Sequence, residues 1–124
     1  MNGLNLTDME QQERVQLYNE LMDTFGYEHQ MHVACEECAE LTNALMKKER
    51  GRATDDEVLD EVADVIICME QLALHFGVAK AIEAKERKLQ RLKERLQGVT
   101  EAAKDGRDTD TEAAAEPPLA EKTE

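Results

Sequence analysis

Hydrophobic positions recur along this chain at the three- and four-residue steps of amphipathic helices, and nowhere alternate long enough to specify a strand. Val58, Val62, Val65, Met69, Leu72 and Phe76 form one such stripe. Ile82, Leu89, Leu92 and Leu96 form another, interrupted by Lys85. Gly26, Gly51, Gly77 and Gly98 stand where helices need a left-handed closing residue or a turn. Thr7-x-x-Glu10 and Thr54-x-x-Glu57 are capping-box patterns that open the first and third stretches. The spacing predicts helices over roughly 7–24, 28–49, 55–76 and 79–97, an all-α domain over residues 1–97. Residues 98–124 are rich in Ala, Glu, Asp and Thr, include Pro117-Pro118, and read as a disordered acidic tail with too little apolar surface to pack.

With a reversal near Arg50-Gly51, facing positions on the second and third helices have numbers adding to about 101. Glu37 then faces Asp64, and Glu40 faces Glu61. At about 100° per residue, Glu37 falls inside the apolar arc formed by Val33, Ala34, Cys38, Leu41, Ala44 and Leu45. Glu40 lies at its edge and Glu36 points away. On the third helix Glu57, Glu61, Asp64 and Cys68 flank the apolar stripe. Packed carboxylates repel one another and resist desolvation, so four of them together imply raised pKa values or a bound cation. Oxygen-only ligation selects a hard ion, Mg²⁺ with Mn²⁺ as a substitute, held by Glu37, Glu40, Glu61 and Asp64. The competing reading makes these acids the solvated faces of helices in a non-catalytic binding or assembly protein. A di-iron bundle is disfavoured because neither acidic pair contains Glu-x-x-His.

Glu36-Glu37-x-x-Glu40, followed after twenty residues by Glu61-x-x-Asp64, resembles the EExxE…ExxD signature of the MazG-like, all-α nucleoside triphosphate pyrophosphohydrolases. Phe25-Gly26, Gln30, Leu41, Ala44 and Val65 extend the likeness to the short single-domain members, over roughly residues 20–95. The resemblance implies a four-helix MazG-like bundle that forms homodimers or homotetramers. It also implies Mg²⁺-dependent hydrolysis of a nucleoside triphosphate between its α and β phosphorus atoms, giving a monophosphate and pyrophosphate. Many such enzymes act on non-standard or surplus nucleotides. Glu36 or Glu40 would serve as the catalytic base. Family members often place Lys, Asn and Arg in the fourth helix to hold the triphosphate. Lys85, Lys88 and Arg91 fit that role, but Leu89 stands about where the Asn is expected.

Gln30 lies two turns before Glu37 on the same face, and its amide suits a base edge or a sugar hydroxyl. Tyr27, in the turn before it, is placed to stack on the base. Cys35-x-x-Cys38 with His29 and His32 cannot close on one zinc, since on a continuous helix the four span about 13 Å and zinc bonds are about 2.0–2.3 Å. The cysteines then read as small core-compatible residues. Asp108-x-Asp110-x-Glu112 lacks the Gly and the bidentate Glu of a calcium loop.

The formal net charge is −13. Residues 1–78 carry 5 basic and 17 acidic side chains, whereas residues 79–97 carry 7 and 3. Such acidity argues against binding a nucleic acid polymer, which needs Lys and Arg to neutralise phosphates. A small polyphosphate bridged by metal is still compatible with it. The chain shows no apolar run of the roughly 18 residues needed to span a bilayer and no signal-peptide pattern. With three cysteines and no secretory context, a cytoplasmic setting is expected, without membrane partners.

Overall fold

A computed structural model describes residues 10–106. These residues are all-helical: α1 (Gln11–Phe25), α2 (Tyr27–Glu49), α3 (Asp55–Phe76) and α4 (Val78–Lys104). No single helix among them is long and apolar enough to cross a membrane. The chain divides into two compact units, Met1–Val78 and Ala79–Glu124.

In the first unit, α1 stops at Gly26, whose φ of 90° few other residues adopt and whose N–H is donated to the Met22 carbonyl at 2.9 Å. The Gly26 carbonyl in turn accepts from Gln30 N at 3.1 Å, so one residue closes α1 and opens α2. α2 ends in a Schellman motif. Gly51, at φ 74°, donates to Lys48 O (2.9 Å), and Arg52 N–H donates across it to Lys47 O (2.8 Å). Thr54 then caps α3. Its hydroxyl accepts from Glu57 N (3.1 Å), and the Glu57 carboxylate accepts from Thr54 N (2.8 Å). The capping box opening α3 is therefore present as the sequence indicates, whereas Thr7 lies outside the described residues and Glu10, the N-cap of α1, makes no side-chain cap bond.

The seam between α2 and α3 differs from the apolar stripe expected of it. The buried residues on these helices are Gln30, Ala34, Cys68 and Gln71. Gln30 Nε2 donates to Gln71 Oε1 at 2.8 Å across the seam. Those residue numbers add to 101, the expected register. Met69 and Phe76 are 41% and 62% exposed, although their stripe reads as core. Cys35 and Cys38 are exposed too, contrary to the core-compatible reading, and Cys68 alone of the three is buried. The physical reason is rotational. The strip of α3 facing α2 is Glu61, Asp64, Cys68 and Gln71, which turns the valines half aside and leaves Leu59, Ile67 and Met69 exposed.

Buried Tyr18 ties α1 to α3 by donating to Glu70 Oε1 at 2.6 Å, and Arg14 Nε stands 3.5 Å from the same oxygen. Burial, reinforced by the bond to Glu70 and its charge, pushes the Tyr18 hydroxyl well above the ordinary tyrosine range. Because the fold favours the protonated form, the associated stability is complete below the unfolded pKa near 10 and is lost as pH rises beyond it. Tyr18→Phe should cost about 1 kcal/mol. For a domain of this size that is a fall in Tm of about 4–8 °C. The deficit should narrow above about pH 10. Thermal melts of both proteins at neutral and alkaline pH check this, and an equal deficit at every pH would contradict it.

The second unit contains α4, which continues through Gly98 to Lys104 instead of stopping at residue 97. A single glycine costs only about 1 kcal/mol relative to alanine, and the Glu-Ala-Ala-Lys that follows Thr100 favours helix. The positive φ falls at Gly106 (80°). The remainder of the expected tail, residues 107–124, lies outside the described residues.

Candidate functional site

The α2–α3 hairpin carries three groups of side chains in axial order. Aromatic residues occupy the end where α2 begins and α3 finishes, carboxylates the middle, and basic residues the turn.

At the aromatic end Tyr27 stacks on His75 with centroids 4.3 Å apart and planes 18° from parallel. Phe76 meets both rings edge-on, at 5.9 Å from Tyr27 and 4.9 Å from His75. His29 lies 5.4 Å from Phe25, and His32 is exposed. One face of the Tyr27 ring is therefore engaged within the protein. Gln30 is 8% exposed, and its Nε2 is used by Gln71. A small cavity of about 40 Å³ beside it is lined by Tyr18, Asn19, Met22, Gln71, Leu74 and His75.

In the middle, Glu37, Glu40, Glu61 and Asp64 are electrostatic neighbours. Partial burial, the adjoining Glu40 carboxyl, and the charges of Asp64, Glu40 and Glu61 push the Glu37 carboxyl above the usual carboxylate range. Partial burial again, then Glu40, Asp64 and Asp60, pushes Glu61 the same way. The structure thus brings the four sequence-selected acids together across the seam. Burial and then the Glu37 charge push the Cys68 thiol upward as well. Glu36 is exposed on α2. The donor set is all oxygen and strongly anionic, which fits a hard divalent cation. No group of three or more His, Cys, Asp or Glu among the described residues already stands in metal-holding geometry.

At the turn, a cleft of about 400 Å³ is lined by Lys47 and Arg52 together with Glu40, Glu57, Asp60 and Glu61. Sequence reasoning did not select Lys47, Arg52 or Gln71. For Gln71 the hairpin register alone was a sufficient signal, since it pairs positions 30 and 71. For the two cations the signal was Gly51, because a Schellman turn joins the residue after the glycine to the residue four before it.

Lys85, Lys88 and Arg91 are exposed on α4, in the second unit. Comparison of the chain with protein-family models, with curated proteins and with solved structures finds no match.

Proposed function

We propose that this chain is a short MazG-like nucleoside triphosphate pyrophosphohydrolase, cleaving its substrate between the α and β phosphorus atoms to a monophosphate and pyrophosphate. The observation that carries this reading is the convergence of Glu37, Glu40, Glu61 and Asp64 across one helical seam, with Glu37 and Glu61 held above the ordinary carboxylate range. An anionic cluster at a packed seam is costly without a counter-ion. Glu37 and Glu61 carry that cost.

When bound, Mg²⁺ or Mn²⁺ would neutralise phosphate oxygens and the charge that develops on them. Glu37, Glu40, Glu61 and Asp64 would supply its ligands. Glu40, or Glu36 on the adjoining solvent face, would take a proton from the attacking water. The water oxygen bonds to the α-phosphorus while the bond from that phosphorus to the α–β bridging oxygen breaks. Pyrophosphate leaves with the bonding electron pair. Tyr27, at the aromatic end, is suited to stacking on the nucleobase through the ring face not given to His75. Gln30 has its amide nitrogen committed to Gln71, which leaves its carbonyl oxygen as the atom for a base or sugar donor. Lys85, Lys88 and Arg91 are the proposed triphosphate ligands from α4.

The apolar residues left on the outer faces of the hairpin support assembly into a homodimer or homotetramer. Leu45, Met46, Leu59, Ile67 and Met69 are each more than two-fifths exposed. The decisive experiment is a panel of standard and modified nucleoside triphosphates with Mg²⁺, scored for monophosphate and pyrophosphate, with the mass of the active species read by light scattering. We expect turnover of at least one member by an oligomer. A chain that is monomeric and turns over none would instead be the helical binding or assembly protein.

A further inference from the structure

The turn-end cleft contains two cations that local structure does not use. Lys48, on the same turn of α2, is engaged by Asp55 at 2.7 Å. Neither Lys47 nor Arg52 forms a salt bridge with any described residue, yet both line the cleft that Glu40 and Glu61 border. Their placement is not left to flexible chain. The Schellman turn joins them through the backbone, Arg52 N–H to Lys47 O at 2.8 Å, with Gly51 holding the positive φ that the turn requires. Helical side chains lean toward the helix N-terminus, so Lys47 leans back along α2 toward Glu40. A larger cleft, about 600 Å³ along α1, has no cation among the described residues that line it.

We infer that Lys47 and Arg52 form the pyrophosphate subsite of the hairpin, receiving the β and γ phosphates of the substrate and holding the pyrophosphate product. This assignment rests on the hydrolase reading for the identity of the substrate and adds its direction. Tyr27 lies ten residues, about 15 Å along the α2 axis, from Glu37 on one side. Lys47 lies seven residues, about 10 Å, from Glu40 on the other. In an extended nucleoside triphosphate the base and the terminal phosphates lie on opposite sides of the α-phosphorus. With the base toward the aromatic end, the leaving group points to the turn. Two cations there, on exposed side chains whose backbones the turn joins, stabilise the charge that accumulates on pyrophosphate as the bridging bond breaks. The carboxylates that share the cleft repel an anion that arrives without divalent metal, so the subsite selects the metal complex of pyrophosphate.

The test is calorimetric titration of the full chain with inorganic pyrophosphate in the presence of Mg²⁺. Three proteins are compared: wild type, Lys47→Gln/Arg52→Gln, and the charge-matched control Lys48→Gln/Arg50→Gln. We expect the Lys47/Arg52 variant to lose at least about tenfold in affinity and the control to stay within about threefold, since charge-assisted contacts act at short range. Equal losses in both variants would reduce the effect to net charge and overturn the subsite. Failure of wild type to bind the magnesium complex would overturn it as well. Pyrophosphate binding that depends on Lys47 and Arg52 in a protein that hydrolyses no nucleotide would sink the hydrolase reading and leave the subsite standing. Nucleotide turnover whose inhibition by pyrophosphate is unchanged in the Lys47/Arg52 variant would do the reverse.

Discussion

Glu61→Gln should reduce nucleotide hydrolysis by at least about a hundredfold while leaving helical content intact, the magnitude expected when a charge-stabilising group is removed from a transition state. Glu61 is half-buried at the seam and sits among Glu40, Asp64 and Asp60. Glutamine preserves its volume and can still accept a hydrogen bond, but it removes the negative charge that draws a divalent cation. The same change relieves repulsion, so the folded state should lose nothing and gain slightly. Glu37→Gln should behave alike. Circular dichroism and thermal melts run beside the kinetics separate the two effects. Retention of full turnover by either variant would end the assignment of the seam carboxylates as metal ligands. Parallel loss of turnover and of helix would show a structural role instead.

Magnesium itself should raise the melting temperature of the wild-type chain. A ligand present at a hundred times its dissociation constant stabilises the native state by about 2.7 kcal/mol. For a domain of this size that is on the order of 10 °C. In Asp64→Asn the signs diverge. Without metal the variant should melt at or above wild type, because one of the carboxylates acting on Glu37 and Glu61 has been neutralised. With metal it should show less than about half the wild-type increment, since a ligand has been lost. Manganese should reproduce the pattern. Equal increments in wild type and variant would mean that the ion binds elsewhere or only screens surface charge.

The positions of the acids were legible because two simple rules act together. Helical periodicity fixes which residues share a face, and a glycine-centred turn fixes which residues oppose one another. The same register holds at Gln30 and Gln71, the second of which the sequence pattern does not single out. What the pattern obscured was the composition of the seam. Valines and leucines at helical spacing normally mark the buried side of an amphipathic helix, whereas here the strip facing α2 carries two carboxylates, a thiol and an amide. Residue type alone cannot distinguish a helix whose apolar face lies inward from one whose apolar face is turned outward for another surface. Gly98 misled for a different reason. A glycine's cost is small enough for flanking helix formers to absorb, so only the observed φ separates a true stop at Gly51 from continuation through Gly98.

The Thr54 capping box touches none of the four acids, yet it marks the start of the helix that carries two of them. Helical winding of α3 is referenced to the residue whose hydroxyl engages Glu57 N. Glu61 and Asp64 follow Thr54 by seven and ten residues, about 20° and 80° short of two and three whole turns, so both project from one side of α3. Turning α3 about its axis by one residue, about 100°, would offer α2 the strip of Val62, Val65, Met69 and Leu72 in place of the acidic one. The cap therefore works as an index mark for where α3 begins, while contacts across the seam such as Gln30 to Gln71 hold the charged strip, and not the greasy one, toward α2.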